Sequence, residues 1–150
     1  YMPVFLGKEE SVHLASMPAA DPAFMDSELA GKWERILLLR QEVSKEMEIA
    51  RREKVIGHPL DAKVTLYAKG GTLEFLRQIE PMLEDIFICS SVEVAQGDEN
   101  LGKIEAFPEL RIEVAKAAGG KCPRCWHYRE DIGKHPEFVD LCSRCAEQLA

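Results

Sequence analysis

Cys122, Cys125, Cys142 and Cys145 are the residues whose type and spacing most directly imply chemistry. They stand in Lys121-Cys122-Pro123-Arg124-Cys125-Trp126 and Leu141-Cys142-Ser143-Arg144-Cys145, two Cys-x2-Cys pairs separated by sixteen residues. Four thiolates in two such knuckles close tetrahedrally around one Zn2+, and the link between them is long enough to return as a hairpin. A complete sulfur shell leaves no position for water, so a structural ion is expected. A redox Cys-x-x-Cys would stand as a single motif at a strand-to-helix junction. Disulfides suit a secreted chain, but no signal peptide is visible and a fifth cysteine, Cys89, would be left over. Cys89 lies in Ile86-Phe87-Ile88-Cys89 and reads as a buried strand thiol. His127 and His135 lie between the pairs and could replace a thiolate in a mixed site, but four sulfurs already fill the shell.

The segment that must hold this site is poor in core residues. Residues 120–150 offer mainly Trp126, Ile132, Phe138, Val139, Leu141 and Leu149. So small an apolar set needs a staple, and a structural zinc supplies one. At 150 residues the chain holds one ordinary domain or two small ones. No apolar run approaches the ~20 residues that span a bilayer, and no membrane association is expected. Reduced cysteines with a zinc site point to the cytoplasm. The formal charge of −7 argues against nucleic-acid binding through a bulk positive field. The acidity lies in residues 1–119, because residues 120–150 carry five Lys/Arg against five Asp/Glu. A local phosphate contact near the zinc site therefore remains open.

Upstream, the hydrophobic pattern predicts an α+β fold. It combines a long amphipathic helix, a small mixed α/β subdomain and a zinc-ribbon-like C-terminal module. Three parts are expected: a lead-in and helix over 1–57, the α/β part over 58–119 and the zinc part over 120–150. Residues 1–24 carry Pro3, Pro18 and Pro22 without a sustained period, and 11–14 read as a short extended stretch. Asp26 or Ser27 can cap a helix running from about Glu28 to Val55, with Trp33, Ile36, Leu37, Val43, Met47 and Ala50 at core spacing. Arg40, Arg51 and Arg52 read as surface ion-pair residues, and Gly57 with Pro59 as the stop. Ala62 to Ala68 alternates as a half-buried strand, and Gly70-Gly71 reads as a break. Leu73 to Leu83 reads as helical and split by Pro81, with strands over 86–94 and 110–114. Gly119-Gly120 is expected to hinge the zinc part.

Three blocks carry a resemblance. They are Glu10-Ser11-Val12-His13-Leu14, the run from Trp33 to Val43 continuing through Ala50-Arg51-Arg52-Glu53-Lys54-Val55-Ile56-Gly57, and Lys121 to Tyr128 with its partner knuckle. In these blocks the chain resembles the C-terminal part of bacterial isoleucyl-tRNA synthetases. The resemblance implies the end of the anticodon-binding region, a small α/β subdomain and a terminal zinc-binding subdomain. It also implies a cytoplasmic, monomeric class I enzyme that joins isoleucine to its tRNA using ATP. The tRNA and the remainder of the parent synthetase are then the partners. The catalytic signatures of that class are missing here. Gly57-His58-Pro59 is not of the His-x-Gly-His type, and Val43-Ser44-Lys45 falls within a predicted helix. The chain is thus expected to be a fragment with no catalytic residue and no ATP site of its own.

Within that resemblance, Trp126 and Arg124 are the candidate tRNA-binding residues. Trp126 directly follows a zinc ligand and Arg124 lies between two. An anticodon-loop base can stack on the indole while the guanidinium meets a base edge or phosphate. The competing role for Trp126 is to cover the zinc site or pack on the α/β part, with Tyr128 in support. Lys121, Arg129, Lys134 and Arg144 are either additional phosphate contacts or plain solvated surface. Two rival functions are a zinc-finger tail gripping duplex DNA, as in formamidopyrimidine-DNA glycosylases, and a free-standing zinc-ribbon adaptor. The first lacks the catalytic proline-glutamate start, and the second leaves the likeness over the long helix unexplained.

Overall fold

The computed structural model describes residues 13, 14, 16, 19–99, 101, 102 and 104–149. Most of the lead-in, including the first resemblance block and the stretch at 11–14 apart from His13 and Leu14, lies outside these residues. Helix α1 runs Ser27–Arg52, and the Asp26 carboxylate caps it by accepting from the Leu29 N–H. Its buried side chains are Ile36, Leu39, Val43, Met47 and Ala50, at steps of three and four. The helix stops earlier than Gly57. Lys54 takes a left-handed φ of 62°, and the Val55 N–H returns to the Ala50 carbonyl at 2.9 Å. That is a Schellman closure built on a lysine rather than on glycine. Arg51 and Arg52 pair with Glu48 as expected. Arg40 instead donates to the Ile86 carbonyl at 3.0 Å and ties α1 to a later helix.

The chain then builds a three-stranded sheet. Strand β1 (Ala62–Ala68) lies between β2 (Ser91–Gln96), parallel to it, and β3 (Leu110–Lys116), antiparallel to it. The parallel pair needs a crossover, supplied by α2 (Gly70–Ile79), a 3-10 turn over Glu80–Met82 and α3 (Leu83–Phe87). Gly70-Gly71 is therefore the start of α2 rather than a break. The turn containing Pro81 does split the helical segment.

Strand β2 begins five residues later than the apolar run suggested. Ile86 and Phe87 finish α3, and Ile88 closes it in a left-handed conformation. Cys89 is buried as expected, but in the turn between α3 and β2 rather than in a strand.

Ala62, Val64, Leu66 and Ala68 point into the core, while Lys63, Thr65 and Tyr67 face the other side. On that second face Lys63 pairs with Glu93 at 2.7 Å, and Arg111 lies 4.3 Å over the Tyr67 ring. One cluster unites α1, the helical crossover and the sheet, so a boundary at residue 57 falls inside a single core. The zinc part has a separate cluster of Cys122, Cys142 and Cys145, against which Cys125, Ile132 and Leu141 pack.

Ser90 joins the two clusters. It is fully buried, donates its hydroxyl to the Leu60 carbonyl and accepts the Tyr128 N–H at 2.7 Å. Arg129 adds an ion pair to Glu84 at 2.8 Å. Gly119, with φ 88°, lies so close to the Arg129 carbonyl that a Cβ would collide with it. The expected hinge is thus a turn held by close backbone contact, and Gly120 already belongs to β4 (Gly120–Lys121). Ser90→Ala strips a buried acceptor and a buried donor of their partner, a loss of about 1–3 kcal/mol. Urea unfolding should show a lower midpoint at unchanged slope, with zinc content preserved.

Candidate metal centre

Each half of the centre is made by a different local structure. The first pair lies in the loop of a small hairpin, between β4 and β5 (Tyr128–Arg129). The Trp126 N–H returns to the Cys122 carbonyl at 2.8 Å, and the Cys122 N–H donates to the His127 carbonyl at 2.9 Å. This tight turn directs both sulfurs to one side. The second pair departs from the ribbon-like expectation. It opens a short helix, α4 (Ser143–Glu147), with Cys142 at the cap position and Cys145 one turn along. Burial opposes charge on the cap sulfur of Cys142, and the Cys145 backbone N–H offsets this only in part. Asp131 secures the helix start by accepting the Ser143 N–H at 3.0 Å. Burial opposes its charge, but hydrogen bonds from Ser143 outweigh that and hold its carboxyl below the usual range.

The four sulfurs of Cys122, Cys125, Cys142 and Cys145 all lie within 4.8 Å of one another. Cys125 Sγ and Cys142 Sγ are 3.8 Å apart. A tetrahedral Zn2+ with bonds of ~2.3 Å spaces its sulfurs by about 3.8 Å, which the Cys125–Cys142 separation matches. Three of the four ligands are buried and Cys125 is half-buried. His127 and His135 stay outside the cluster. His127 Nδ1 lies 3.0 Å from the Cys125 carbonyl, and His135 Nδ1 accepts the Glu137 and Phe138 N–H groups.

Electrostatics support metal loading. Burial resists ionisation of Cys122, but backbone N–H groups of Cys142, Cys125 and Arg124 prevail and bring its thiol to about 6. Burial, and then hydrogen bonding to the neighbouring sulfurs, push Cys142 up to about 12, and burial raises Cys125 as well. The metal-free cage thus carries a thiolate at neutral pH, while the raised thiols must release protons to a metal. Zinc retention should therefore weaken as pH falls.

Trp126 follows the first pair in a left-handed conformation, φ 66°, and is 58% exposed. It is absent from the cluster around the sulfurs, against which Cys125, Ile132 and Leu141 pack. Lys121 Nζ lies 5.9 Å from its ring, and Arg124 is exposed on the same turn. Tyr128 points elsewhere, with Lys116 Nζ 5.8 Å from its ring. Among the neighbouring cations Arg129 is engaged by Glu84, which raises its pKa and removes it from a free phosphate-binding set. Ser90 and Asp131 were invisible in the sequence. Their partners lie 38 and 12 residues away, and no local motif announces either.

Comparison with known proteins agrees with this geometry. Residues 119–148 match a family model described as a zinc finger found in FPG and IleRS. Isoleucine–tRNA ligase of Carboxydothermus hydrogenoformans is 46% identical over 95% of this chain. That of Geobacter sulfurreducens is 46% identical over 97%, and that of Staphylococcus haemolyticus 42% identical over 93%. The chain is homologous to a segment of isoleucine–tRNA ligases. The match takes in the helix and sheet as well as the metal centre. It spans about 15% of the length of these relatives.

Module and sheet keep separate cores, so their thiols should appear separately. Zinc-loaded protein is expected to show no fast thiol towards a chromogenic disulfide. A strong chelator should release four, and Cys89, buried and pushed up to about 12, should appear only in denaturant. Five thiols released together by chelator would mean that the two cores melt as one.

Proposed function

We propose that this chain is the C-terminal part of an isoleucine–tRNA ligase and that its zinc knuckle seats the anticodon stem-loop of the tRNA. Names of the relatives supply the reaction class and the amino acid. The parent enzyme attaches isoleucine with ATP, in the cytoplasm and as a monomer, at a catalytic site beyond these residues. No residue here is assigned to catalysis. Among the described residues no helix is long and apolar enough to cross a membrane. The zinc ion, held by Cys122, Cys125, Cys142 and Cys145, supplies rigidity.

One observation carries the RNA contact. A non-glycine residue held in the left-handed region costs about 1–2 kcal/mol. The knuckle accepts that cost with a tryptophan whose ring is mostly in solvent. Glycine would make the same turn without strain. Side-chain packing on the sulfurs does not account for the indole, but a base that stacks on it does, at roughly 1–3 kcal/mol. Lys121 beside the ring and Arg124 on the same turn provide charge for the adjoining phosphates or base edges. Gripping the far end of the tRNA helps to hold its acceptor end at the reacting atoms, which lowers the entropic part of the barrier.

The same zinc finger family is also found in FPG, and a finger that grips duplex DNA is the rival reading. The homology over helix and sheet favours the synthetase, since those regions have no part in a finger alone.

Trp126→Gly separates a structural role from a contact. In the parent enzyme this variant should keep its zinc and its stability to within about 1 kcal/mol, because relief of strain offsets the added chain entropy. Affinity for isoleucine tRNA should fall by on the order of tenfold, in line with the loss of one stacked base. Unaltered tRNA affinity with zinc retained would remove the contact, and equal binding to duplex DNA would favour the finger reading.

A further inference from the structure

Helix α1 is used unevenly along its length. Its buried residues begin at Ile36, and every described residue from Ala19 to Arg35 is exposed. Yet this exposed portion is not polar. Leu29, Trp33 and Leu37 recur at every fourth helical position, with Met25 beside Leu29 and Trp33 just before the helix begins, and Leu29 and Leu37 are about half exposed. At 1.5 Å per residue the helical stripe runs about 12 Å. Trp33 and Leu37 continue it into a groove whose other wall is Pro81, Met82 and Ile86. Two helical turns that touch little else are marginal in water and gain their stability by packing.

We infer that this stripe seats an apolar helix contributed by the part of the parent synthetase that lies outside these 150 residues. The inference rests on the reading above, since it requires a longer parent. Three features favour that occupant. The relatives are about six to seven times longer than the matched segment, so ample protein is available to cover the face. Residues spaced by four form the ridge that a second helix fits as its groove. The rim is net acidic, with Asp26 and Glu28 against Lys32 at one end and Asp85 at the groove, which disfavours a phosphate backbone and suits an occupant flanked by Lys or Arg. Arg40, the cation of the groove, is already bonded to the Ile86 carbonyl. Helix α1 then acts as a strut, its second half in the α/β core and its first half in a neighbouring bundle.

The test places p-benzoylphenylalanine at position 29 (Leu29→p-benzoylphenylalanine) in the full-length synthetase without tRNA, followed by irradiation and peptide mapping. The expected product is an intramolecular crosslink to a peptide outside these 150 residues. A crosslink confined to these residues, a product of doubled mass, or no protein crosslink at all would overturn the inference. Met25→p-benzoylphenylalanine, beside Leu29 and away from the wall formed by Pro81, Met82 and Ile86, gives the same readout should position 29 not tolerate the probe. Because no tRNA is present, this outcome is independent of the Trp126 measurement. An encoded chain no longer than the present one would instead defeat the reading on which both depend.

Discussion

Convergence of four sulfurs is the constraint on which the terminal part of this structure depends. Cys122 and Cys145 bracket a stretch that contributes Ile132 and Leu141 to its cluster and leaves Val139 largely in solvent, where Leu149 just beyond it also lies. Such a stretch lacks the apolar area to offset its own conformational entropy. The sulfur cage supplies what the core lacks, because metal binding at a site absent from the unfolded chain is itself folding free energy. The left-handed turn at Trp126 follows from the same constraint. The Trp126 N–H closes on the Cys122 carbonyl, so the strained residue is held by a bond to one ligand while following another.

Rigidity at the knuckle serves a partner only if the knuckle is held relative to the rest of the protein. Two contacts do this, both from β5. Tyr128 bonds to buried Ser90 and Arg129 pairs with Glu84, while Gly119 packs its bare Cα against the Arg129 carbonyl at the base of the same hairpin. Ser90 and Glu84 both lie at or near the turn where α3 passes into β2, and α3 is bonded to α1 through Arg40. A continuous path of packed elements therefore runs from the exposed stripe on α1 to the exposed ring of Trp126. Because the α1 stripe and Trp126 lie at opposite ends of this path, a load-bearing connection is a sufficient role for the small α/β part between them.

What the sequence disclosed follows from how local each feature is. The metal ligands were legible because two Cys-x2-Cys pairs need no distant information. The core of α1 and the alternation of β1 were legible because periodicity is local too. Errors arose where a distant contact decides. Ile86 to Cys89 is an apolar run that suits a strand or a helix end, and the left-handed Ile88 that settles it is a β-branched residue with no turn signature. Lys54 does the work of a glycine at the end of α1, so Gly57 misplaced the stop. The second cysteine pair has the same Cys-x-Arg-Cys spacing as the first. What makes it a helix start is Asp131, twelve residues upstream, reaching the Ser143 N–H. Trp33 and Leu37 satisfied the helical period without being buried, because a period reports an apolar face and not what covers it.

The charge distribution bears on how such a chain could hold RNA. With a formal charge of −7 it does not draw polyanions in by its overall field. The knuckle carries Lys121 and Arg124 beside Trp126, while the nearby Arg129 is neutralised by Glu84. On the proposed reading, few free cations mean few released counterions, so RNA binding through this surface should be weakly salt-dependent and gain little from nonspecific phosphate contact. Stacking on one rigid ring then carries a large share of the local affinity. A stack requires an unpaired base presented at the right place, a condition that a folded loop meets and duplex RNA does not. On the proposed reading, an acidic body with a rigid aromatic tip selects an exposed loop base over duplex rather than one base identity over another, because stacking tolerates every base.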